Sequence, residues 1–270
     1  MKRYTLLLIC LLALVGAVRA QDNGDTWFNQ ANAAYNAGNY DTAVVLYEKI
    51  LTLDVESVPL YYNMGNAYYK KHDYAMAIYC YEKALKLDPS NDDVKTNLAI
   101  ANLAIVDKIE PVPQSFFVKG WRTLRTACSG NQWAWISIAS FTLILVALFL
   151  FLRSRRVGLR KLGFFMGLLL LVVFVFSVIF AAMQKREALV QNQAIVMEPT
   201  VTVKSSPGKV AVDLFVLHEG SKVDVLETVK VESSGNELVD DSASASSDWS
   251  KIRIASGSIG WLPTASIRVF

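Results

Sequence analysis

The side chains in this sequence that could do chemistry are suited to recognition. Asparagines and tyrosines recur between residues 28 and 97, and Asn32 and Asn66 stand 34 residues apart. An asparagine amide both donates to and accepts from a peptide backbone, and a tyrosine ring adds apolar contact. These residue types therefore suit a site that holds an extended peptide.

Catalytic and metal-binding motifs are absent from the sequence. It contains no nucleophile elbow, phosphate loop, pair of catalytic acids, zinc-ligand spacing or glycine-rich fingerprint. His72 and His218 have no second ligand within sequence reach, which favours surface or capping positions. Cys80 and Cys128 have no neighbour at metal or redox spacing. We therefore expect no catalytic residue, no metal, no cofactor and a protein that is not an enzyme.

Residues 24–57 and 58–91 are two copies of one unit with a period of 34 residues. The offset aligns aromatic, small and charged positions, which are Trp27 with Tyr61, Ala31 with Gly65, Tyr35 with Tyr69, Tyr40 with Tyr74, Tyr47 with Tyr81, and Glu48-Lys49 with Glu82-Lys83. The segments Met64-Gly65-Asn66-Ala67-Tyr68 and Tyr81–Pro89 make this unit resemble the tetratricopeptide repeat (TPR), an all-α helical hairpin. Because two repeats alone bury little surface, we expect a capping helix at 92–106. The TPR domain would then cover residues 21–110.

The resemblance to the TPR implies a concave groove lined by the first helix of each repeat. The positions of this chain that match the groove and its neighbouring helix faces are candidate partner-binding residues: Phe28, Asn32, Tyr35, Tyr62, Asn63, Asn66, Tyr69, Lys70 and Asn97. TPRs that clamp a C-terminal carboxylate have lysine or arginine where this chain has Phe28, Asp93 and Asn97, which disfavours that mode. The alternative for each tyrosine, a role in packing alone, stays open.

Two apolar runs predict a transmembrane hairpin. Residues 133–152 and 162–183 carry no formal charge and are each long enough to cross ~30 Å of hydrocarbon as a helix. Residues 153–161 between them contain five cations and no acid, which predicts a cytoplasmic loop and places both flanking domains on the far side. Two buried helices of a soluble core are the alternative, but such helices rarely stay apolar around their whole circumference. Neither span contains an acid, a base or a proline, so we expect an anchor.

Charge is segregated along the chain. Residues 21–110 have a net charge of −6 (13 acids, 7 bases), residues 111–186 of +10 with no acid, and residues 187–270 of −4 (11 acids, 7 bases). The cations therefore concentrate at the predicted membrane segment, which argues against a nucleic-acid partner. Residues 1–20 read as a signal peptide, with Lys2 and Arg3 before an apolar stretch and Ala20 at the expected cleavage site. Residues 111–132 are interpreted as a linker or interfacial segment, since aromatic and basic residues alternate there.

Residues 187–270 predict a small all-β domain. Short β-branched runs alternate with turns, and the candidate strands are Gln193–Met197, Val201–Lys204, Lys222–Val231, Ser250–Ala255, Ser258–Pro263 and Ile267–Phe270. The segments Phe215–Gly220, Asp248–Ile254 and Gly257–Leu262 make the domain resemble a bacterial SH3-type barrel. Trp249 and Trp261 are candidates for stacking on a glycan or peptide, and a core position is the alternative for either.

The order of leader, TPR, two-span anchor and SH3-type domain resembles the TPR member of the Bat aerotolerance operons of Bacteroidetes. The resemblance implies a multi-pass protein of the bacterial inner membrane with both domains in the periplasm. It implies membrane partners with von Willebrand A-type domains and, indirectly, a MoxR-type AAA+ ATPase, in tolerance of oxidative or envelope stress. We expect a scaffold that binds envelope proteins through the TPR groove. The alternative is a module that binds peptidoglycan through the SH3-like domain.

Overall fold

A computed structural model describes residues 24–109, 112–113, 115–190, 192–208, 210–231 and 247–270. The predicted signal peptide, residues 1–20, lies outside the described residues. The chain divides into two compact units. The first contains the N-terminal helices through residue 84, residues 92–112 and residues 192–270, and the second contains residues 85–91 and 113–191.

Helices make up the N-terminal region, as the repeat pattern predicts. They are α1 (residues 24–36), α2 (Tyr40–Leu51), α3 (Val58–Lys70), α4 (Tyr74–Leu87) and α5 (Asp92–Ala104). The first copy of the repeat forms α1 and α2, and the second forms α3 and α4. The predicted helical repeat region is thereby confirmed, and α5 follows it where a capping helix is expected.

The turn within each helical pair uses the same backbone conformation. Gly38 has a φ of 79° and His72, one repeat later, has a φ of 63°. The next residue caps the second helix in both copies: the side chain of Asn39 accepts from the Thr42 amide at 3.3 Å, and that of Asp73 accepts from the Met76 amide at 3.0 Å. Only glycine adopts the left-handed conformation without cost, so the second turn is the more strained of the two.

A small residue allows α3 and α4 to approach each other closely. A Cβ atom added to Gly65 would lie 2.7 Å from Cε1 of Tyr81, whose side chain is buried. The equivalent position of the first copy, Ala31, is also completely buried. The small-residue position of the repeat is therefore a packing requirement, because the tyrosine ring lies against the backbone of the preceding helix.

An antiparallel sheet forms the C-terminal region and confirms the predicted all-β architecture there. Its strands are β1 (Gln193–Val196), β2 (Thr200–Lys204), β3 (Asp213–His218), β4 (Lys222–Val231), β5 (Ser247–Ile254), β6 (Ile259–Pro263) and β7 (Ile267–Val269). The hydrogen-bonded order is β3-β2-β6-β5-β4-β1-β7. Among the described residues, no strand pairing closes the sheet between β3 and β7. Val196, Val203, Ile252 and Leu262 are fully buried in its core.

Strand β3 is missing from the six candidate strands of the sequence analysis. It pairs with β2 and forms one end of the strand order. Its residues Leu214 to Leu217 are all apolar, although Leu217 is buried while Leu214 and Val216 are about half exposed. The alternation of apolar and polar residues that identifies a half-buried strand is therefore absent from this segment.

The outer face of α4 packs against the sheet within the first unit. The rings of Tyr79 and Phe270 meet edge to face with centroids 6.0 Å apart, and the guanidinium carbon of Arg268 lies 4.6 Å from the Tyr79 centroid. Lys222 donates to Glu82 at 2.7 Å. Because Tyr79 and Phe270 are 8% and 1% exposed, these contacts form a dry interface. The helical region and the sheet, which are separated in sequence by α7 and α8, are thus in direct contact.

The segment after α5 completes this interface through Asp107. Its carboxylate accepts from the backbone amide of His218 at 2.7 Å, from Nδ1 of His218 at 2.8 Å and from the hydroxyl of Ser221. Burial opposes ionisation, but these hydrogen bonds outweigh it and lower the pKa of Asp107. Gly220, at a φ of 85°, has no room for a Cβ because Ile105 lies against it. The helical region and the sheet are therefore joined by both packing and a satisfied carboxylate.

The second unit contains α6 (Phe116–Arg125), α7 (Gly130–Arg153) and α8 (Val157–Leu189). Both α7 and α8 are long and apolar enough to cross a membrane. They pack closely, since a Cβ atom on Gly163 of α8 would lie 2.8 Å from the carbonyl oxygen of Ala147 on α7. Gly163 and Gly167 form a G-x-x-x-G pattern, which allows two apolar helices to come into backbone contact.

The link between α7 and α8 is shorter than the nine-residue loop predicted at 153–161. Arg153 ends α7, and Arg160 and Lys161 lie in the first turns of α8, so only residues 154–156 are non-helical. Helical geometry continues past the apolar residues because leucine, arginine and lysine are good helix formers. The cations remain clustered at one end of the helix pair.

Candidate peptide-binding groove

Two adjoining hollows lie along the helices of the repeat region. The first has a volume of about 290 Å³ and is lined by Asn32, Tyr35, Asn36, Tyr47, Asn63 and Asn66. The second has a volume of about 330 Å³ and is lined by Tyr35, Tyr62, Asn66, Tyr69, Lys70, Tyr81, Asn97 and Ile100. Tyr35 and Asn66 border both hollows, so the two form one continuous surface, which we call the groove.

An asparagine on α1 is held by two hydrogen bonds. The carbonyl oxygen of Asn32 accepts from the hydroxyl of Tyr47 at 2.6 Å and from the amide of Asn63 at 3.0 Å. These three residues come from α1, α2 and α3, so the bonds connect the first repeat to the second. The two acceptor sites of the Asn32 carbonyl are thereby occupied.

The same arrangement recurs one repeat later. The carbonyl oxygen of Asn66 accepts from the hydroxyl of Tyr81 at 2.7 Å and from the amide of Asn97 at 2.8 Å. The Asn97 amide also donates to the hydroxyl of Tyr62 at 3.1 Å. Each member lies 34 residues after its counterpart in the first arrangement, so the period of the sequence is reproduced in the hydrogen bonds.

These bonds leave polar atoms for a ligand. Within the described part of the chain, the Nδ2 donors of Asn32 and Asn66 have no hydrogen-bond partner, and neither do the Oδ1 acceptors of Asn63 and Asn97. All four residues line the groove and are partly exposed. Because their other amide atoms are fixed by neighbours, the open donors and acceptors are oriented before any ligand arrives.

Aromatic rings support both arrangements in the same way. Phe28 packs on Tyr47 with ring centroids 6.0 Å apart, and Tyr62 packs on Tyr81 at 6.3 Å. Tyr35 packs on Tyr40 at 5.4 Å, and Tyr69 on Tyr74 at 5.5 Å. Tyr35 and Tyr69 line the groove and are only partly buried, so each of them combines packing with an exposed ring face.

The groove is close to electrically neutral. Burial and the neighbouring Tyr35 raise the pKa of Tyr47 to about 12, and burial together with Tyr62 and Tyr35 raises the pKa of Tyr81. Both hydroxyls therefore stay protonated at physiological pH and act as donors to Asn32 and Asn66. Lys70, which lines the second hollow, is the one charged side chain among the lining residues.

The structure brings together most of the residues that the sequence analysis singled out. The candidate partner-binding residues that line the groove are Asn32, Tyr35, Tyr62, Asn63, Asn66, Tyr69, Lys70 and Asn97. The ninth, Phe28, supports the ring of Tyr47. The groove is also lined by Tyr47, Tyr81 and Ile100, which are not among the predicted binding residues. The 34-residue offset between Tyr47 and Tyr81 was visible, but their partners became clear only from the hydrogen bonds.

The two tryptophans of the sheet have different environments. Trp249 on β5 is 4% exposed, so it could not stack on a ligand without leaving its packed position. Trp261 on β6 is partly exposed, and Nζ of Lys251 lies 5.8 Å from its ring centroid. The structure therefore favours the core alternative for Trp249 and leaves Trp261 as a candidate for stacking.

Potential metal ligands are not grouped together in the described ranges. In that part of the chain, no group of three or more His, Cys, Asp or Glu side chains could hold a metal ion. Cys80 is completely buried, and that burial raises the pKa of its thiol, which disfavours the reactive thiolate. His218 and Ser221 both bond to Asp107, so the serine hydroxyl is not directed at the histidine as a nucleophile would be.

Comparison with known protein families identifies the helical region. Residues 25–57 and residues 58–91 each match the family model of the tetratricopeptide repeat. A search of curated proteins finds no match to the chain. The helices, their 34-residue period and the family matches agree, so residues 25–91 consist of two tetratricopeptide repeats, a type of repeat that mediates protein–protein interaction.

Proposed function

We propose that this protein is a non-catalytic, membrane-anchored scaffold whose groove binds an extended peptide segment of a partner protein. The observation that carries this proposal is the duplicated asparagine arrangement. Asn32 and Asn66 each offer fixed amide donors, and Asn63 and Asn97 offer acceptors. A peptide backbone has donors and acceptors in a regular series, so two identical arrangements one repeat apart match its periodic chemistry.

The nearly neutral lining of the groove disfavours highly charged peptides as ligands. Its lining is neutral apart from Lys70, and its tyrosines offer partly buried ring faces. A highly charged ligand would lose its hydration without finding an opposite charge in return. The preferred ligand is therefore a largely uncharged, partly apolar segment with one acidic group that can reach Lys70.

The contact between the repeat region and the sheet supports a location of both regions on the same side of the membrane. The two regions stand on opposite sides of α7 and α8 in sequence, and Glu82 and Lys222 from them form an ion pair at 2.7 Å. Two regions in contact must lie on the same side of the membrane. The chain between them must therefore cross the membrane an even number of times, as it would with α7 and α8. The cations at 153–161 favour a cytoplasmic link and a periplasmic location for both regions.

The identity of the partner follows from the resemblance of the domain order to the Bat aerotolerance proteins. On that basis, the partners are membrane proteins with von Willebrand A-type domains, and a MoxR-type AAA+ ATPase acts from the cytoplasm. An SH3-type module in the C-terminal region is part of the same proposal. The process served is then tolerance of oxidative or envelope stress.

Crosslinking of the full-length protein in intact cells tests the groove. A variant with Asn32→Ala, Asn66→Ala and Tyr69→Ala removes the open donors and one exposed ring. The control variant Val45→Ala changes an exposed residue, 62% accessible, on the outer side of the first repeat. Capture of envelope proteins should be lost in the groove variant and retained in the control. Equal capture by both variants, with unchanged unfolding midpoints, would overturn the groove as the binding site.

Binding to peptidoglycan is the alternative function, and the partly exposed ring of Trp261 is the observation that keeps it open. If the sheet binds wall material, the full-length protein in detergent should co-sediment with purified sacculi, and Trp261→Ala should abolish this. A groove variant that still sediments, combined with a Trp261→Ala variant that does not, would move the function to the sheet.

A further inference from the structure

Helix α6 has one apolar and one basic side. Phe116 and Phe117 are 83% and 84% exposed, and Trp121 and Leu124 follow them on the same arc of the helix. Lys119 and Arg122 lie on the opposite arc, since successive residues are separated by about 100° around a helix of 3.6 residues per turn. The segment therefore has the amphipathic pattern of a helix that lies at an interface between water and an apolar phase.

This helix is attached to the ends of α7 and α8. The ring of Trp121 packs edge to face on Phe180 of α8 with centroids 5.0 Å apart, and the ring of Trp133 on α7 also packs on Phe180 at 5.0 Å. The indole nitrogen of Trp133 donates to the carbonyl oxygen of Arg125 at 3.0 Å. Three aromatic rings and one hydrogen bond thus hold the C-terminal end of α6 to both long helices.

Gln184 strengthens the same attachment. Its amide donates to the carbonyl oxygen of Arg125 at 2.6 Å and to that of Cys128 at 2.8 Å, and the side chain is 6% exposed. Carbonyl groups at a helix C-terminus lack partners within the helix, so Gln184 satisfies groups that would otherwise need water. A buried amide that serves two carbonyls at this joint indicates a water-poor location.

The depth of the attachment follows from the sequence of α8. Gln184 is followed by Lys185 and Arg186, which end the uncharged run of residues 162–183. Long cationic side chains at the end of an apolar helix mark the level of the phospholipid headgroups. Because α6 is joined at Gln184 through Arg125, its C-terminal end lies at the same level.

We propose that α6 lies in the plane of the membrane surface, with Phe116 and Phe117 among the lipid acyl chains and Lys119 and Arg122 bound to phosphates of anionic phospholipid headgroups. This proposal rests on the proposed insertion of α7 and α8 in a membrane. Arg125 is already paired with Glu187, whereas Lys119 and Arg122 have no ion-pair partner among the described residues. Residues 111–186 contain no acid, so the surroundings of α6 attract anions.

Lipid fits this face better than a protein partner does. Phe116 and Phe117 are adjacent and almost fully exposed, on a helix joined to the proposed membrane segment, so they can enter lipid without any further component. The cations complement the negative phosphates that lie at the same depth. A protein partner would have to displace lipid from the phenylalanines and from the cations.

Spin labelling of the full-length protein in vesicles of phosphatidylcholine and phosphatidylglycerol tests the position of α6. With Cys10, Cys80 and Cys128 replaced by alanine, single labels are placed at Phe117→Cys, at Lys119→Cys on the opposite side, and at Val146→Cys within α7. The ratio of oxygen to water-soluble nickel accessibility should be several-fold higher at 117 than at 119, and highest at 146. A high ratio at 146 with equally low ratios at 117 and 119 would overturn the proposal for α6 alone. A low ratio at 146 would overturn the membrane insertion on which it rests.

Lipid binding by the cations is tested separately by native mass spectrometry of the full-length protein titrated with phosphatidylglycerol. Lys119→Gln together with Arg122→Gln should weaken binding roughly fivefold for each cation removed. The pair Lys49→Gln and Lys95→Gln, in the repeat region, removes the same charge and should leave binding unchanged. Equal weakening by both pairs would show a general charge effect and overturn the headgroup site.

Discussion

The two repeats make the same hydrogen bonds on their groove side but have different surroundings on their outer side. On the groove side, the bonds of Asn32 with Tyr47 and Asn63 are repeated by Asn66 with Tyr81 and Asn97, within 0.2 Å for each bond. On the outer side, Val45 of the first repeat is 62% exposed, whereas its counterpart Tyr79 is 8% exposed beneath the sheet. The same helix position is therefore exposed to solvent in the first repeat and buried against the sheet in the second.

This difference shows which contacts a repeat determines by itself. Each groove contact joins residues that belong to the repeat pattern, so duplication of the sequence duplicates the contact. The contacts of Tyr79 with Phe270 and Arg268 involve residues about 190 positions away, which are outside the pattern. A repeated sequence thus predicts the inner face well and the outer face poorly.

Truncation of the outer residue should have very different effects in the two copies. Tyr79→Ala removes a buried ring from the contact with the sheet and should lower the free energy of unfolding by about 3 kcal/mol. Val45→Ala removes an exposed side chain and should change it by less than about 0.5 kcal/mol. Urea unfolding of the full-length protein in detergent, followed by near-UV circular dichroism, measures both. Similar losses for the two variants would argue against the docking of α4 on the sheet.

The carboxylate that joins the helical region to the sheet should also be sensitive to substitution. Asp107→Asn keeps one acceptor but removes the charge that His218 and Ser221 stabilise, which should cost about 2 kcal/mol. The matched variant Asp92→Asn affects an exposed pair with Lys95 at 2.8 Å and should cost less than about 0.5 kcal/mol.

The pH dependence of unfolding distinguishes these two carboxylates further. The folded state lowers the pKa of Asp107, so its contribution to stability is present above the unfolded value of about 3.9 and is lost as pH falls through the folded value. Asp107→Asn should flatten the acid side of the stability curve. An acid limb identical to that of the unsubstituted protein would contradict the assigned hydrogen bonds.

On the groove side, the two copies should respond alike. Tyr47→Phe and Tyr81→Phe each remove a hydroxyl that donates to an asparagine, and each should cost about 1 kcal/mol of unfolding free energy. Folding raises the pKa of Tyr47 from about 10 to about 12, so its contribution is complete below pH 10 and declines as pH rises towards 12. Tyr47→Phe should reduce that alkaline loss. Clearly unequal costs for the two phenylalanine variants would mean that the duplicated bonds are not equivalent.

The smallest expected effect lies in the turns. His72→Gly relieves a left-handed conformation, at a φ of 63°, that Gly38 adopts freely in the first copy. The substitution should raise the unfolding free energy by about 0.5 kcal/mol, because some of the gain is offset by greater freedom of the unfolded chain. Gly38→Ala should lower it by about 1 kcal/mol. Thermal unfolding of both variants checks the signs. Nδ1 of His72 lies 2.9 Å from the hydroxyl of Tyr74, and a destabilised His72→Gly protein would mean that this hydrogen bond contributes more than the relieved strain.

Much of the fold and of the groove could be predicted from local patterns. The 34-residue period predicted the repeated helices, and uncharged runs predicted α7 and α8. The resemblance to the tetratricopeptide repeat indicated eight of the residues that line the groove. Strand β3 was missed because its apolar residues do not alternate with polar ones, although one side of the strand is exposed. The sequence left open whether Trp249 is buried or exposed, because tryptophan occurs in both positions in sheets. The structure shows that it is buried.

The sequence by itself determined the features whose physical cause is local or periodic. Helix formation in the repeats, the apolar length of α7 and α8 and the neutral amide chemistry of Asn32 and Asn66 belong to this group. Only the tertiary structure decided that the sheet packs on α4 and that Asp107 is held by His218 and Ser221. Those contacts bring together residues more than a hundred positions apart, and their partners are selected by shape and burial, for which a linear sequence carries no periodic signal.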